Sequence, residues 1–361
     1  MKKRINLYLI ILGLLLNSLG SLAQQVALVT KLQSAQELQA RISALLEQPK
    51  FIPARWGARV ITQDGRVVFE RDADKLFMPA SNMKLYTTAA TLDAFGPDAK
   101  FKTSVYATVK ANKAGVMRGN LILYGRGDTN LSARFDTDAQ GKPNPLDEYT
   151  AADKITAIEK LADQIQAHGI KIINGEVIGD DSYFATEGLG TGWEWDDLMF
   201  YYGAAVSALT VNDNAVTFTV KPAARDGLPP IITVQPHTAY LKIINHATTN
   251  NGKDGQTHLG INRPLSNNEV EFFGNIPKAA KDFSAAIAVY DPASFAATLL
   301  KEALVRRGIR VTGQVKRFAA VARITNPFAE AKLIALASVE SPRCRRSAWC
   351  TARSRPRSSC C

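Results

Sequence analysis

Phe77-Met78-Pro79-Ala80-Ser81-Asn82-Met83-Lys84 decides how this chain is read. It is a Ser-x-x-Lys box at the mouth of a helix. Pro79 suits a first helical position, where its missing N–H and fixed φ cost nothing. Leu85, Ala89, Ala90, Leu92 and Phe95 then recur at helical spacing, and Gly96-Pro97 stops the run. Residues three apart lie on one helix face, so the Ser81 hydroxyl falls within reach of the Lys84 amine. A serine hydroxyl is a poor nucleophile until a neighbouring base takes its proton. A lysine amine is such a base when burial or nearby positive charge lowers its pKa from ~10.4 towards neutrality. The helix N-terminus assists, because its field disfavours the ammonium and its free N–H groups can stabilise an oxyanion. By itself the pattern leaves two readings open: a nucleophile–base pair, or an ordinary helix start with a solvated lysine.

Upstream, Ser34 to Leu46 reads as an amphipathic helix, with Ser34 and Glu37 at the spacing of a capping box. Trp56 to Ile61 and Val67 to Arg71 flank the turn signal Gln63-Asp64-Gly65-Arg66 and read as a hairpin. At the start, Lys2, Lys3 and Arg4 precede the apolar run Leu7 to Leu16, and Ser21-Leu22-Ala23 is a small-x-small cleavage site. This is a secretory signal peptide, too short for a transmembrane helix of ~20 residues. No cysteine follows the site, which argues against a lipid anchor, and no later stretch is long and apolar enough to span a bilayer. The expectation is an exported, periplasmic protein without stable membrane insertion.

Downstream the texture becomes β-rich. Phe101 to Val109, Gly119 to Tyr124, Ile170 to Ile178, a block from Ala215 to Leu259, and Glu269 to Ile276 read as strands. Ala152 to His168 is a helix closed by Gly169, and Asp136 to Glu148 reads as an exposed loop. Asp291 to Gly308 is a second helix, Ile309 to Val315 a strand, and Ala331 to Glu340 an apolar, strand-like run. No internal repeat is evident.

The formal charge of +11 is unevenly spread. Three positive charges precede the apolar run, and six arginines lie between Pro342 and Cys361, which leaves about +2 for the middle. That near-neutral body lacks the basic footprint of a nucleic-acid binder. All four cysteines (Cys344, Cys350, Cys360, Cys361) fall in the same last stretch, so the body has no disulfide framework and no thiolate metal site. The four histidines are scattered in loop-like contexts, and neither metal nor cofactor is expected. From Ser341-Pro342 onward an Arg/Ser/Cys-rich tail breaks every compositional rule of the body, as a shifted reading frame would.

Several stretches together identify a family. Met78-Pro79-Ala80-Ser81-Asn82-Met83-Lys84-Leu85, Gly119-Asn120-Leu121-Ile122-Leu123 with Gly127-Asp128, Trp193-Glu194-Trp195-Asp196-Asp197, the run Tyr202 to Asn214, and Asp291-Pro292-Ala293 with Arg307-Gly308-Ile309 occur in family order. The chain resembles the D-alanyl-D-alanine carboxypeptidase/endopeptidases of the class C low-molecular-mass penicillin-binding proteins. Helix, hairpin, then a nucleophile-bearing helix is also how penicillin-recognising serine enzymes begin. The resemblance implies an α/β (α+β) fold: a penicillin-binding-protein/serine β-lactamase-like catalytic domain with large β-rich inserted domain(s) after the nucleophile helix. It implies this organisation: signal peptide 1–23, catalytic domain 24–95, insertion 96–284, return to the catalytic domain 285–341, aberrant tail 342–361.

It also implies a chemistry. The serine at position 81 attacks the penultimate D-alanine carbonyl of a peptidoglycan stem peptide ending in D-Ala-D-Ala, and the lysine at 84 is the base. β-Lactam antibiotics acylate the same serine. The family further uses a Ser-x-Asn and a Lys-Thr-Gly motif after the region of Ser338 to Pro342, and neither follows Pro342 here. Ser266-Asn267-Asn268 lies in the insertion and is rejected, and Val311-Thr312-Gly313 lacks the lysine. The catalytic domain is therefore expected to lack its C-terminal part. The alternative expectation is a catalytically inactive truncated homologue that at most binds peptidoglycan. A β-lactamase is disfavoured by the matching blocks inside the insertion.

Three lesser signals have structural explanations. Arg126-Gly127-Asp128 reads as part of a glycine-rich turn rather than an adhesion tripeptide. Asn212-Asp213-Asn214 reads as a turn whose side chains bond the backbone. Trp193 and Trp195 beside Asp196 and Asp197 read as a packing surface between insertion and catalytic domain, in preference to a sugar-binding face.

Overall fold

The computed structural model describes residues 34–132, 154–184, 188–252, 256–318 and 333–342. The expected signal peptide, the loop expected at 136–148 and the tail beyond Pro342 lie outside them. The chain divides into two compact units at Ala90/Thr91.

The first unit holds helix α1 (Ala35–Leu46), strands β1 (Ala58–Ile61) and β2 (Val67–Arg71), and the start of helix α2 (Met83–Phe95). Ser34 caps α1 as its sequence requires, its Oγ accepting from Glu37 N at 3.1 Å. β1 and β2 pair antiparallel, as the Asp64-Gly65 turn dictates. Neither helix has a buried residue, and among the described residues of this unit Phe69 on β2 is the buried hydrophobic side chain.

The second unit carries strands β3 (Lys100–Ala107), β4 (Val116–Met117), β5 (Leu121–Tyr124), β6 (Ile172–Ile173), β7 (Val177–Asp180), β8 (Ala215–Lys221) and β9 (Ile231–Gln235). It continues with β10 (Lys242–Asn245), β11 (Thr248–Asn250), β12 (His258–Asn262), β13 (Glu269–Pro277), β14 (Phe283–Ala288), β15 (Arg310–Val311), β16 (Val315–Phe318) and β17 (Ile334–Pro342). Its helices are α3 (Thr156–Ala167) and α4 (Pro292–Arg306). The main sheet runs β16-β7-β5-β3-β17, and a short one runs β15-β6-β4. A third runs β14-β8-β9, and a fourth joins β10-β13-β11 with β12. The segments 96–284 and 285–341 share sheets, since β16 pairs with β7 and β17 with β3.

Helix α3 buries Ile158, Leu161, Ala162 and Ile165, one face at helical spacing. Helix α4 buries Phe295, Leu299, Leu300 and Leu304 and packs on β7, where a Cβ at Gly179 would stand 2.1 Å from the Ala293 carbonyl oxygen. Glu159 on α3 joins Arg306 and Arg307 at the end of α4, the Arg306 Nη2–Oε1 distance being 2.6 Å. The outer edge of β17 is covered by α3: Gln164 accepts from Ser338 N at 2.9 Å and donates to Ser338 O at 3.0 Å, while His168 Nε2 meets Leu336 O at 2.9 Å.

An internal repeat is present after all. Gly115-Val116-Met117-Arg118-Gly119-Asn120-Leu121, Gly169 to Val177 and Gly308 to Val315 each pass from a left-handed glycine through a two-residue strand and a glycine corner into a longer strand. The three short strands pair in parallel, as do the three long ones. The glycine corners stack, because a Cβ at Gly175 would lie 2.1 Å from Gly119 O and one at Gly313 2.2 Å from Gly175 O. The copies share a few glycines and apolar positions within about nine residues, too little for similarity along the chain to reveal. The same corners split the single strands read over Ile170–Ile178 and Ile309–Val315 into pairs.

Candidate active site

Ser81 lies in a single 3₁₀ turn, Ala80–Asn82, that runs into α2. Pro79 has helical dihedrals (φ −71°, ψ −23°) and its carbonyl accepts from Asn82 N at 2.9 Å, so the proline starts the turn as its fixed φ favours. Ala80, just before the serine, has φ +43°, a left-handed conformation that a residue with a Cβ adopts at a cost. Lys84 Nζ donates to Ser81 Oγ at 3.0 Å. Both side chains are exposed, and no carboxylate pairs with Lys84 among the described residues. The protonated amine donates along this line, and the neutral amine would accept the hydroxyl proton along the same line.

The approach to the box is held by contacts that the sequence did not disclose. The Phe77 ring lies on Gly57, where a Cβ would stand 2.4 Å from Cε2. The Arg55 guanidinium sits 5.0 Å from the Phe77 ring centroid and 3.6 Å from Asp72. A bulky residue next to a glycine twenty positions away is a weak signal, because nothing local fixes the pairing.

The look-alike motifs have structural employment in the second unit. Asn268 Oδ1 accepts from Tyr290 N at 2.7 Å and its Nδ2 donates to Tyr290 O at 3.0 Å, a two-point clamp on the start of α4. Asn267 Oδ1 accepts from Glu269 N at 2.9 Å. Thr312-Gly313 forms the last stacked corner of the repeat. Arg126 spends its guanidinium on Lys102 O, Ser104 Oγ and Tyr106 Oη and lies over the Tyr124 ring, and Gly127 has φ +83°. The tripeptide is a turn, as its glycines implied. Burial would raise the Tyr106 phenol, but hydrogen bonds from Ser104 and Arg126 bring it below its ordinary value.

Asn212, Asp213 and Asn214 all have positive φ, and their side chains bond the backbone: Asn212 Nδ2 to Ala215 O and Asn214 Nδ2 to Ala205 O, both at 2.9 Å. Gly192, Trp193, Glu194, Asp197, Leu198, Tyr202 and Gly203 line a concavity of about 320 Å³, with Trp195 beside it 73% exposed. Tyr202 Oη donates to Asp197 Oδ1 at 3.0 Å. Among the described residues no group of three His, Cys, Asp or Glu side chains is placed to hold a metal ion. No helix there is long and apolar enough to cross a membrane.

A profile of the D-Ala-D-Ala carboxypeptidase 3 (S13) family matches residues 38–339. The chain is 34% identical over 286 residues to a D-alanyl-D-alanine carboxypeptidase of Actinomadura sp. (strain R39), which covers 77% of this chain and 48% of that protein. It is 23% identical over 262 residues to the D-alanyl-D-alanine carboxypeptidase DacB of Haemophilus influenzae, covering 72% and 49%. The fold is similar to the crystal structure of penicillin binding protein 4 (dacB) from Haemophilus influenzae, with a TM-score of 0.58 at 20% identity over 77% of this chain and 54% of that one. A second structure of that protein, complexed with a β-lactam, gives a TM-score of 0.51 at 18% identity, again over 77% of this chain and 52% of the other. The chain spans about half the length of the curated relatives it matches. The profile spans most of the chain and includes Ser81, Lys84 and the stacked repeat, so the chain belongs to the D-Ala-D-Ala carboxypeptidase 3 (S13) family.

Proposed function

We propose that this chain carries the nucleophile of a serine-type D-Ala-D-Ala carboxypeptidase/endopeptidase acting on peptidoglycan stem peptides. Ser81 is the nucleophile and Lys84 the base. The observation that carries this reading is the 3.0 Å hydrogen bond between Lys84 Nζ and Ser81 Oγ at the start of a helix. In the first step Ser81 Oγ attacks the carbonyl carbon of the penultimate D-alanine, and its proton passes to neutral Lys84 Nζ. The tetrahedral oxyanion collapses, the C–N bond breaks, and the Lys84 ammonium returns the proton to the departing D-alanine amine. Water then attacks the acyl-enzyme carbonyl, giving a proton to Lys84; the acyl C–Oγ bond breaks, Lys84 returns the proton to Ser81 Oγ, and the shortened peptide leaves as its carboxylic acid. A β-lactam enters at the first step and keeps its leaving group tethered.

The catalytic domain is drawn from 24–95, with 96–284 inserted and 285–341 leading back, although β15, β16 and β17 pair within the sheets of the inserted part. The amino-terminal pattern supports a periplasmic location. The exposure of Ser81 and Lys84 favours a second reading, an inactive homologue that at most binds peptidoglycan. Acyl transfer needs water excluded and an oxyanion site in place, and loss of one oxyanion donor costs ~10²–10³ in rate.

Intact mass and peptide mapping after incubation with benzylpenicillin separate the two. An adduct on the peptide containing Ser81, absent in Ser81→Ala and in Lys84→Met, supports the enzyme. A folded chain that takes no adduct, and releases no D-alanine from a muropeptide, supports the inactive homologue.

A further inference from the structure

Arg263 follows β12 and is 4% exposed, yet no carboxylate pairs with it among the described residues. Burying an unpaired cation is expensive unless its donors are used, and burial here also lowers the guanidinium's pKa. Its two terminal nitrogens donate to main-chain carbonyls alone, while Nε is buried with no partner among the described residues. Nη2 donates to Leu198 O at 2.8 Å, and Nη1 donates to Pro264 O at 2.8 Å and Asn267 O at 3.2 Å. The Arg263 N–H meets Met199 Sδ at 3.2 Å. One side chain thus joins two segments about 65 residues apart.

The two segments differ in rigidity. The loop 263–268 is fastened through Asn267 to Glu269 and through Asn268 to Tyr290. The stretch 188–203 carries four glycines and no regular element beyond the turns Asp197–Met199 and Tyr201–Gly203. Its Trp193, Trp195, Tyr201 and Tyr202 are exposed. It lacks the apolar burial that would hold it, apart from Met199 and Phe200 against the core and the bridge from Phe200 to Ile287. A carbonyl at the end of a short turn has no internal partner, and a cation is well suited to it.

We propose that Arg263 is a positioning residue that pins the aromatic and acidic turn 192–203 to the rigid loop 263–268, holding Trp193, Asp197 and Tyr202 in one arrangement. The side chain acts as a strut whose load is borne by hydrogen bonds to carbonyls rather than by an ion pair. Lysine cannot replace it, because one ammonium on a flexible stem cannot reach carbonyls on both segments in a fixed fork.

The test uses the full chain with Trp56→Phe and Trp349→Phe, so that tryptophan emission reports on Trp193 and Trp195. In Arg263→Ala, acrylamide quenching is expected to rise by about twofold or more while the far-ultraviolet circular dichroism stays unchanged. Millimolar guanidinium ion should refill the vacated site and restore the parent quenching, which loss of packing alone would not allow. Quenching that does not move in the folded variant, or that moves without being restored, overturns the proposal. Should Arg263→Ala fail to fold, hydrogen exchange on the parent chain decides: amides of Phe200 and Gly203 should exchange as slowly as those of β12, and exchange at loop rates overturns it.

Discussion

The ring of Phe77 lies against the α-carbon of Gly57, so close that a β-carbon at Gly57 would stand 2.4 Å from Phe77 Cε2. Phe77 is four residues before Ser81, and Gly57 precedes the first strand of the hairpin. This contact ties the chain leading into the Ser81 turn to the hairpin. Gly57→Ala should push the ring aside without unfolding the unit, because a ring can swing where a backbone could not. A misplaced reacting group costs up to ~10²-fold in rate, so benzylpenicillin acylation should slow by roughly tenfold. Phe77→Ala should slow it similarly, and the two changes together should cost little more than either alone. Additive effects in stopped-flow acylation would sink the coupling.

Glu159 makes the acid side of the stability profile predictable. Burial alone would raise its carboxyl, but the hydrogen bonds from Arg307 and Arg306 outweigh burial and hold it below the usual range. A carboxylate depressed in the fold stabilises fully above its unfolded value of ~4.3, and the contribution is lost as pH falls through the folded value. Glu159→Gln should therefore cost about 2 kcal/mol at neutral pH, typical of hydrogen bonds to a charged group. The gap between variant and parent should close as pH falls below ~4. Urea melts at the two pH values check this, and a gap that is constant or widens in acid contradicts the ion-pair account.

Gly175 and Gly169 separate two ways in which glycine is needed. At Gly175 a β-carbon would meet the Gly119 carbonyl oxygen at 2.1 Å, and backbone stacked in the sheet cannot give way. At Gly169 φ is +72° with nothing within 4 Å, so alanine meets strain only in the chain's own conformation. Gly169→Ala should cost roughly 1 kcal/mol and Gly175→Ala about 3 kcal/mol or more. Thermal melts that rank them in reverse would show that the corners do not stack as described.

Local chemistry was legible in the sequence wherever one segment decides its own shape. Ser34 before Glu37, Asp64-Gly65, Pro79 ahead of Ser81, and the paired asparagines at 212 and 214 each announced the conformation they adopt. The reach from Ser81 to Lys84 followed from helical period alone. What depends on distant partners was hidden. The corners at Gly175 and Gly313 look like mid-strand glycines until their neighbours are stacked on them. Arg263 looks like a surface arginine until Leu198 is beside it. Phe77 needs Gly57, and nothing between them says so.

The pair of hydrogen bonds between Gln164 and Ser338 has one more consequence. A primary amide offers one donor and one acceptor at nearly the spacing of a peptide unit, so Gln164 occupies the place that another chain's backbone would take. With His168 two residues further along the strand, on Leu336, the outermost rung of the main sheet is already saturated where it would otherwise template growth. Self-association of this sheet through the Leu336–Ser338 edge of β17 is thereby discouraged by Gln164 on α3 and His168 just after it, and a Gln164→Leu chain is expected to enter oligomers at concentrations where the parent stays dispersed.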